Sequence, residues 1–264
     1  MVPVIALLTD FGLQDPYVGA MKGAILQVCP EATLVDLVHE LPAHDLTAAA
    51  LALDAAYRYF PAGTVFVAVV DPGVGSERRP IAVGAGRWLF VGPDNGLFTL
   101  VLDAHPDSRV HVLANPLLRA LPQSAVFQGR DLFGPTGAHL ARGLPLADVG
   151  PAVLDPVRLE LPRARCFGGA CEGVVLGADR FGNLITSLLG AELASLAGSE
   201  PGRLEVVLGG SLLPLVRTYS DVEPGRPCAL VGSSGRLEIA VNGGRADALT
   251  GAGRGTPVRL RLRR

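Results

Sequence analysis

The stretch TVFVAVVDPGVGSERRP, residues 64–80, carries both the first fold signal and the first functional signal of the chain. Its unbroken apolar run ends at Asp71, and such a run is typical of a strand that is buried on both faces of a parallel sheet. A Pro-Gly turn follows, and Arg78 and Arg79 come shortly after it. Taken alone, the carboxylate and the arginines are equally well explained by a strand-end turn with a solvated ion pair, which contributes little to stability.

Strand and helix patterns alternate on both sides of this stretch. The strand patterns cover residues 2–9, 33–38, 64–71 and 87–96, and the helix patterns cover residues 16–28, 45–60 and 129–143. This alternation predicts an α/β domain over residues 1–150, built on a mostly parallel sheet. Asp10 and Asp71 follow predicted strands, at the carboxyl ends where the ligand sites of such sheets lie.

The pattern changes near residue 150. Residues 151–166 contain three prolines and show no helical period, which is typical of a linker. Short strand-like runs, separated by Gly and Pro turns, then continue over residues 167–264. Closely spaced short strands predict a smaller, all-β C-terminal domain, folded as a barrel or a sandwich.

Composition excludes several classes of protein. The net charge of −2 predicts no basic face for nucleic acid, and no apolar run approaches the roughly 20 residues of a membrane helix. The N-terminus lacks the pattern of a signal peptide, so the sequence predicts a cytoplasmic protein. The four cysteines form no CxxC pair and are predicted to be buried and reduced, with a Cys166–Cys171 pairing left open. No dense cluster of oxygen ligands predicts a metal site.

The remaining polar residues stand at turns beside the apolar strands. Each one alone is more often a turn or helix-cap residue than part of a site. They include Asp10, His44, Asp71, Arg78 and the segments PDNG (93–96), FQGRD (127–131), DRFGN (179–183) and GSSGRLE (232–238).

In combination, these motifs resemble those of the S-adenosyl-L-methionine hydroxide adenosyltransferases, a family related to fluorinase and chlorinase. The resemblance extends over nearly the whole chain. It rests on TDFGLQDPYVGAMKG (9–23), VDPGVGSERR (70–79), PDNGLFT (93–99), FQGRDLFGP (127–135), DRFGNLIT (179–186) and GRLEIAVNGG (235–244), in that order.

The resemblance implies a fold, an assembly and a reaction. It implies an N-terminal α/β domain and a C-terminal β-barrel in a homotrimer, with each active site between the N-terminal domain of one subunit and the C-terminal domain of the next. The implied reaction is attack of water or hydroxide on C5′ of S-adenosyl-L-methionine (SAM), which yields adenosine and L-methionine. SAM is then the substrate, and neither a cofactor nor a metal is implied.

The catalytic residues implied by the resemblance are Asp71, Arg78 and Gln128. The family usually reads FHGRD where this chain reads FQGRD, so Gln128 stands where a histidine is expected. Glutamine cannot change its protonation state, and two functions therefore remain open. One is an active SAM hydrolase, and the other is an adenosine- or SAM-binding protein with weak or lost turnover. A halogenase is more distant, because the fluorinase has tyrosine at the position of Asp71, and a carboxylate there would repel a halide.

The residues implied to contact the substrate lie in both domains. Asp10 is implied to bind both ribose hydroxyls, Asp179 the methionine ammonium, and Asn183 the adenine edge. The other implied contacts are His44 at the sugar and base, Phe181 and Tyr219 as apolar walls, and Ser233, Ser234 and Glu238 at the amino-acid end. The other histidines, His39, His105, His111 and His139, have no such match and are predicted to be surface or packing residues.

The chemistry of such a reaction explains the polar residues of the opening stretch. A sulfonium leaves as a neutral thioether and needs no acid, so the reaction needs only an oriented water and a base. Asp71 can accept a hydrogen bond from that water, and Arg78 can fix the rotamer of the carboxylate and stabilise its charge. The sequence therefore favours a water-holding pair over a solvated turn.

Overall fold

The computed structural model describes residues 2–120, 123–198 and 204–263. The chain forms two compact units, Met1–Leu159 and Glu160–Arg264. The first contains a mixed sheet with helices and the second an antiparallel sheet, so the coarse prediction of an α/β domain followed by a β domain is confirmed. The predicted domain bounds, 1–150 and 167–264 with a linker between them, stay a prediction.

The first unit is built on one twisted sheet. Its described strands are β1 (Val4–Thr9), β2 (Thr33–Val38), β3 (Val65–Val69), β4 (Pro80–Ala85), β5 (Trp88–Pro93) and β6 (Arg109–Val112). Among these strands the order is β2-β1-β3-β5-β4-β6. The neighbours from β2 to β5 pair in parallel, whereas β4 pairs antiparallel with β5 and β6. The sheet is therefore mixed, and its antiparallel part comes from β4 and β6, which the sequence patterns missed.

Helices cover both faces of this sheet. They are α1 (Tyr17–Val28), α2 (Leu46–Ala56), α3 (Thr99–Ala104) and α4 (Gly134–Ala141). Val18, Met21 and Ile25 recur at helical spacing and are buried, so α1 forms where the apolar pattern predicts it. The side chain of Asp45 accepts a hydrogen bond from the N–H of Ala48 and caps α2.

The alternation of side chains along β3 determines on which face of the sheet Asp71 lies. Val65, Val67 and Val69 pack in the core cluster that contains the α1 and α4 residues, while Phe66 and Ala68 pack in the cluster that contains α2 and α3. Because successive side chains of a strand point to opposite faces, Asp71 continues the row of Val65, Val67 and Val69. The carboxylate therefore emerges on the face that α1 and α4 cover.

Residues 155–159 belong to the first unit and are hydrogen-bonded to it. The backbone N–H of Val157 donates to a carboxylate oxygen of Asp94 at 2.8 Å, and that of Leu159 donates to the hydroxyl of Thr99 at 2.8 Å. These bonds place Asp94 of the PDNG motif, and Thr99 after it, beside residues that composition alone assigned to a linker.

The second unit is an antiparallel sheet that curls towards closure. Its described strands are β7 (Arg165–Phe167), β8 (Ala170–Ala178), β9 (Leu184–Leu189), β10 (Leu204–Leu208), β11 (Ser211–Leu213), β12 (Pro227–Val231), β13 (Arg236–Val241) and β14 (Pro257–Leu262). Their order is β11-β10-β14-β8-β9-β13-β12, and β7 pairs with β8. Leu215, just beyond β11, forms a bridge to Ala229 of β12, so the sheet is nearly closed and barrel-like. The unit is not purely β, because helices α5 (Gly190–Ala197) and α6 (Ala246–Thr250) interrupt the strands.

The cysteines divide into two kinds. Cys29 and Cys228 are buried and free, as predicted. Cys166 and Cys171 form a disulfide across β7 and β8, so the prediction that these two are reduced is wrong and the pairing left open by the sequence is the one observed. Their side chains are directly opposed in the strand register, which brings two cysteines within bonding distance.

No helix in the described part of the chain combines the length and apolar character needed to cross a membrane.

Candidate functional site

The opening motif folds into a tight carboxylate–guanidinium pair. Arg78 donates from Nε to one oxygen of Asp71 at 2.9 Å and from Nη2 to the other oxygen. The same Nη2 donates to the Oε1 atom of Gln128 at 2.6 Å. The side chains of Asp71 and Arg78 are 6% and 10% exposed, so the pair is shielded from water rather than solvated. The three residues implied to be catalytic therefore form one connected group.

The turn between Asp71 and Arg78 brings the two side chains together. Ser76 donates from its hydroxyl to the carbonyl of Gly73 at 2.7 Å, and its Oγ accepts from the N–H of Arg78 at 3.3 Å. A Cβ at Gly73 would lie 3.3 Å from Ser76 Oγ and 3.4 Å from Arg78 Cγ, so a larger residue there would crowd the turn. The guanidinium of Arg78 also lies 5.3 Å from the ring centre of Phe133.

Arg79, the second arginine of the motif, serves a different role. It donates to Asp94 from Nε at 2.8 Å and to Asp155 from Nη1 at 2.8 Å. Asn95 donates to the carbonyl of Val70, next to Asp71, at 2.9 Å. The motif PDNG therefore acts as a support that joins the end of β3 to residues 155–157.

Asp71 and Gln128 lie at the wall of a cavity of about 540 Å³ within the first unit. Asp10, His44, Asp71 and Gln128, four of the residues singled out in the sequence, line it. Sequence reasoning missed the aromatic part of the lining, which consists of Phe11, Tyr17 and Phe127. These rings pack edge to face, with centres 5.4–6.2 Å apart. Their position in the chain was the available signal, because Phe11 adjoins Asp10 and Phe127 adjoins Gln128.

Asp10 is held at the cavity by the loop that contains His44. The backbone N–H of His44 donates to Oδ2 of Asp10 at 2.8 Å. His44 has a φ of 64°, in the left-handed region that residues other than glycine rarely adopt. This conformation costs of order 1–3 kcal/mol and is typical of functional loops. The backbone of His44 therefore contacts Asp10, whereas the His44 side chain is exposed.

Gln128 is positioned by a π-helical turn over Gly129–Phe133 that leads into α4. A Cβ at Gly134 would lie 3.0 Å from the carbonyl oxygen of Gly129, so the turn requires a small residue there. Asp131 is buried and accepts hydrogen bonds from Arg130 and from the N–H of Ser124 at 2.7 Å. Together these contacts fix the loop that carries Gln128.

A second polar cluster lies in the second unit. Asp179 accepts from the backbone N–H of Asn183 at 2.8 Å and from its side-chain amide at 2.9 Å. These bonds close the turn between β8 and β9, in which Gly182 has a φ of 85°. Glu238 lies on the adjacent strand β13, opposite Ile185 of β9, and is 8% exposed. Burial raises the pKa of Tyr219, and the charges of Glu238 and Asp179 raise it further, so these groups share one neighbourhood.

The remaining predicted contacts of this unit lie on its turns. Phe181 is 75% exposed at the tip of the β8–β9 turn. Ser233 is exposed, whereas the hydroxyl oxygen of Ser234 is buried and finds no hydrogen-bond partner among the described residues. A Cβ at Gly232 would collide with the carboxylate of Glu238, so this turn lies directly against that side chain.

Burial raises the pKa of Glu238 above its usual range, and the charge of Asp179 adds to the effect. Above pH 4.5 the unfolded chain releases this proton while the folded chain still holds it, so stability falls as the pH rises through this window. We expect Glu238→Gln to raise the free energy of unfolding at pH 7.5 by roughly 0.5–2 kcal/mol, and to have little effect well below pH 4.5. Urea unfolding at pH 7.5 and well below pH 4.5 measures the change in the free energy of unfolding. Glu172→Gln, at an exposed position of the same sheet, is the control, and an equal gain in both variants would contradict the role of burial.

The described residues contain no group of three or more His, Cys, Asp or Glu side chains that could hold a metal ion. Asp71 instead pairs with an arginine, and Asp179 with amide and backbone N–H groups.

Comparison with known proteins covers both units. A family model described as the SAM hydroxide adenosyltransferase N-terminal domain matches residues 5–150, and the corresponding C-terminal domain model matches residues 173–259. A protein of Thermus thermophilus named (R)-S-adenosyl-L-methionine hydrolase is 45% identical over 97% of this chain and 98% of its own length. A fluorinase of Actinoplanes is 31% identical over 91% of each chain. The crystal structure of an uncharacterized conserved protein from Thermotoga maritima, 32% identical, superposes with a TM-score of 0.90 over 97% of this chain and 99% of its own.

Proposed function

The chain belongs to the SAM hydroxide adenosyltransferase family, and from this premise we propose how it hydrolyses S-adenosyl-L-methionine to adenosine and L-methionine. Asp71 holds a water molecule in line with C5′ of the adenosyl group. The water oxygen forms a bond to C5′, the C5′–S bond breaks, and its electron pair stays on sulfur as the neutral thioether of methionine. The carboxylate of Asp71 takes the proton of the water.

One observation carries this proposal: a shielded carboxylate, held on both oxygens by an arginine, lies at the wall of a cavity that also contains Asp10. The bidentate pairing fixes the orientation of the carboxylate, so it does not have to reorganise when the water reacts. Shielding from solvent strengthens the interaction of Asp71 with both its arginine and the positive charge that develops on the attacking water oxygen. No step requires a cofactor, because the sulfonium is already an activated leaving group.

The first-unit cavity is suited to the adenosyl group. Asp10 can accept hydrogen bonds from both ribose hydroxyls, because an ionised carboxylate offers two acceptor oxygens. The rings of Phe11, Tyr17 and Phe127 supply an apolar wall for the uncharged parts of the substrate.

The second-unit cluster is suited to the methionine end. Asp179 and Glu238 are acceptors for an ammonium group, and a cation between them would relieve the repulsion that raises the pKa of Glu238. The buried hydroxyl of Ser234 is available to a carboxylate. Phe181 and Tyr219 are apolar walls beside these groups, and Asn183, tied to Asp179, reads the adenine edge.

We also propose that each site is completed in a homotrimer, by the first unit of one subunit and the second unit of the next. Support comes from the separation of the two clusters into different units and from exposed apolar side chains beside each. Those are Leu13, Tyr17 and Val126 in the first unit and Phe181 and Tyr219 in the second. Such side chains are typical of surfaces that another chain covers.

Mixing two inactive variants tests the shared site. We expect Asp71→Asn and Asp179→Asn to be nearly inactive as separate proteins, and to regain activity when the two chains are unfolded together and reassembled. Some sites of a mixed trimer then combine an intact first unit from one chain with an intact second unit from the other. Sedimentation checks the trimer. A fully active monomer, or mixed trimers without recovered activity, would contradict the proposal.

Gln128 replaces the usual histidine through its amide. Its carbonyl faces Arg78, so its NH2 group points to the opposite side of the amide plane. An NH2 group can donate to the oxygen of a water molecule whose own proton points to Asp71, and this pair of contacts orients the nucleophile. Gln128 therefore positions water without handling its proton.

Gln128→His tests this division of roles. We expect kcat to rise by less than the roughly 10²-fold that a positioned acid or base contributes, because Asp71 is the group that takes the proton. A pH–rate profile of both forms is the measurement. A new ionisation between about pH 5 and 8 confined to the histidine variant, with a rise of 10²-fold or more, would show that the imidazole handles the proton.

The competing function is binding of adenosine or SAM without turnover, and the observation that favours it is Gln128 itself. Incubation of the protein with SAM, followed by chromatography for adenosine, separates the two. Adenosine that accumulates with the native chain and not in a protein-free sample supports hydrolysis, whereas equal amounts in both samples would reject it. Fluoride added to the same assay tests the more distant halogenase alternative, which a carboxylate at the nucleophile position disfavours.

We retain a cytoplasmic location as a proposal, supported by the buried free thiols of Cys29 and Cys228. The Cys166–Cys171 disulfide argues in the other direction, since disulfides are uncommon in reducing compartments.

A further inference from the structure

We propose that His39 is a positioning residue for substrate binding, which holds the carboxylate of Asp10 in place for the ribose hydroxyls. The inference rests on the role proposed above for Asp10. The sequence predicted His39 to be a surface or packing residue, and the structure shows it 4% exposed and hydrogen-bonded on both ring nitrogens.

The strand register brings His39 to the end of β1. Leu8 of β1 pairs with Val38 of β2, so Thr9 and His39 are neighbours at the carboxyl ends of two parallel strands. Nδ1 of His39 lies 2.8 Å from Oγ1 of Thr9, and Nε2 lies 3.0 Å from Oδ1 of Asp36. The backbone carbonyl of His39 accepts from the N–H of Gly12 at 2.8 Å.

The donors and acceptors of this network can be assigned in one consistent order. Lys22 donates to Oδ2 of Asp36 at 2.7 Å. Burial opposes ionisation of Asp36, but the bonds from Lys22 and His39 lower its pKa below the usual value. An ionised Asp36 accepts from Nε2–H of His39, which leaves Nδ1 as the acceptor for the hydroxyl of Thr9. The Thr9 oxygen then accepts from the N–H of Phe11, at 3.3 Å.

In this arrangement, hydrogen bonds with His39 hold the backbone in place on both sides of Asp10. Thr9 precedes Asp10, and Phe11 and Gly12 follow it. Thr9 and Gly12 bond directly to His39, and Phe11 bonds to it through the Thr9 hydroxyl. Gly12 has a φ of 68°, a turn conformation that these bonds maintain. Asp10 is thus suspended between anchored residues, and its carboxylate is free to meet the N–H of His44 and the ligand.

The network lies outside the cavity and acts on it chiefly through Asp10, since Phe11 is tied to the network only by its backbone N–H. Among the residues that line the cavity, neither His39, Asp36 nor Lys22 is present. Its loss is therefore expected to weaken contacts to the ribose hydroxyls and to leave the water at Asp71 unaffected. That separation distinguishes a positioning role from a general loss of packing.

Two substitutions of His39 each break one of its two side-chain hydrogen bonds and keep the other. Asparagine places its amide oxygen near the position of Nδ1, so His39→Asn can still accept from Thr9 and loses the contact to Asp36. Glutamine reaches the position of Nε2, so His39→Gln can still donate to Asp36 and loses the contact to Thr9. We expect His39→Gln to raise KM for SAM by about 10-fold with kcat within about 3-fold of the native value, and His39→Asn to stay close to native.

Binding of adenosine and of 2′,3′-dideoxyadenosine, measured by calorimetry, identifies the contact. His39→Gln should weaken adenosine binding by about 10-fold and leave binding of the dideoxy compound unchanged, because that compound lacks the hydroxyls that Asp10 meets. His105→Asn is the matched control, since His105 bonds Tyr57 Oη at 3.1 Å in the same unit and does not line the cavity. It should lower the melting temperature without changing either affinity.

Three outcomes would overturn the inference: unchanged adenosine affinity in His39→Gln, an equal loss for both nucleosides, or a loss that His105→Asn reproduces. The test stays separate from the proposed activity. A native chain that binds adenosine but does not turn over SAM would refute hydrolysis, and the contrast between the two nucleosides would still decide the role of His39.

Discussion

Asp71→Asn is expected to lower kcat for SAM hydrolysis by about 10²- to 10⁴-fold, the contribution usual for a positioned general base. The amide has the shape of the carboxylate and can keep one bond from Arg78, but it cannot take the proton of the attacking water. Adenosine affinity should change little, because Asp10 and the aromatic wall remain intact. Single-turnover kinetics, together with calorimetry on adenosine, separates the chemical step from binding.

The chain offers a matched control for this result. Asp94 is also a shielded carboxylate, with 2% side-chain exposure, and Arg79 pairs with its Oδ2 atom. It does not line the cavity. Asp94→Asn should therefore reduce stability and keep kcat near the native value. If Asp71→Asn hydrolyses SAM at the native rate, or if both variants lose activity equally, Asp71 is not the base.

Arg78→Met is expected to lower the free energy of unfolding by about 3–5 kcal/mol, the usual loss when one partner of a buried ion pair is removed. Asp71 would remain as a buried charge without its partner, and Gln128 would lose the donor that orients it. Activity should fall as well, because the carboxylate is no longer fixed. Urea unfolding measures the stability, and assays under conditions where the variant is folded measure kcat.

A double-mutant cycle shows whether the loss comes from the unpaired charge. Asp71→Asn combined with Arg78→Met removes both charges, so the double variant should be more stable than Arg78→Met alone. Additive losses in the cycle would contradict a coupled pair. Arg79→Met provides a comparison: its side chain is 35% exposed, and its buried partner Asp94 keeps the N–H donor of Val157, so its loss should be smaller.

The sequence predicted the strands and helices with strong patterns, and it missed those whose patterns are weak or short. β2 forms over Thr33–Val38 and α1 over Tyr17–Val28, as their patterns indicate. β4 begins with a proline and contains Gly84, so it reads as a loop, and it forms because β5 and β6 pair with it on both sides. α3 has six residues, too few for a helical period to show.

The candidate site divides in the same way. Asp71 and Asp10 stand out because they follow predicted strands, at the carboxyl ends where the ligand sites of such sheets lie, and Arg78 stands out through the motif that it shares with Asp71. Phe11, Tyr17 and Phe127 carry no such signal, since an aromatic residue beside an apolar run is usually part of the core. His39 was missed because its partner Thr9 lies 30 positions away, and only the pairing of β1 with β2 brings the two together.

The place of β3 in the sheet has a consequence for dynamics. This strand lies between β1 and β5, and Val65–Val69 are at most 3% exposed. Its amide protons should exchange with solvent only in openings that approach global unfolding, so Asp71 is attached to the slowest-exchanging part of the first unit. The loops that carry Leu13 and Val126 are exposed and should exchange faster. Ligand binding should therefore cost conformational entropy mainly in those loops. Substitutions in the loops, rather than at Asp71, are expected to change the affinity for the ligand.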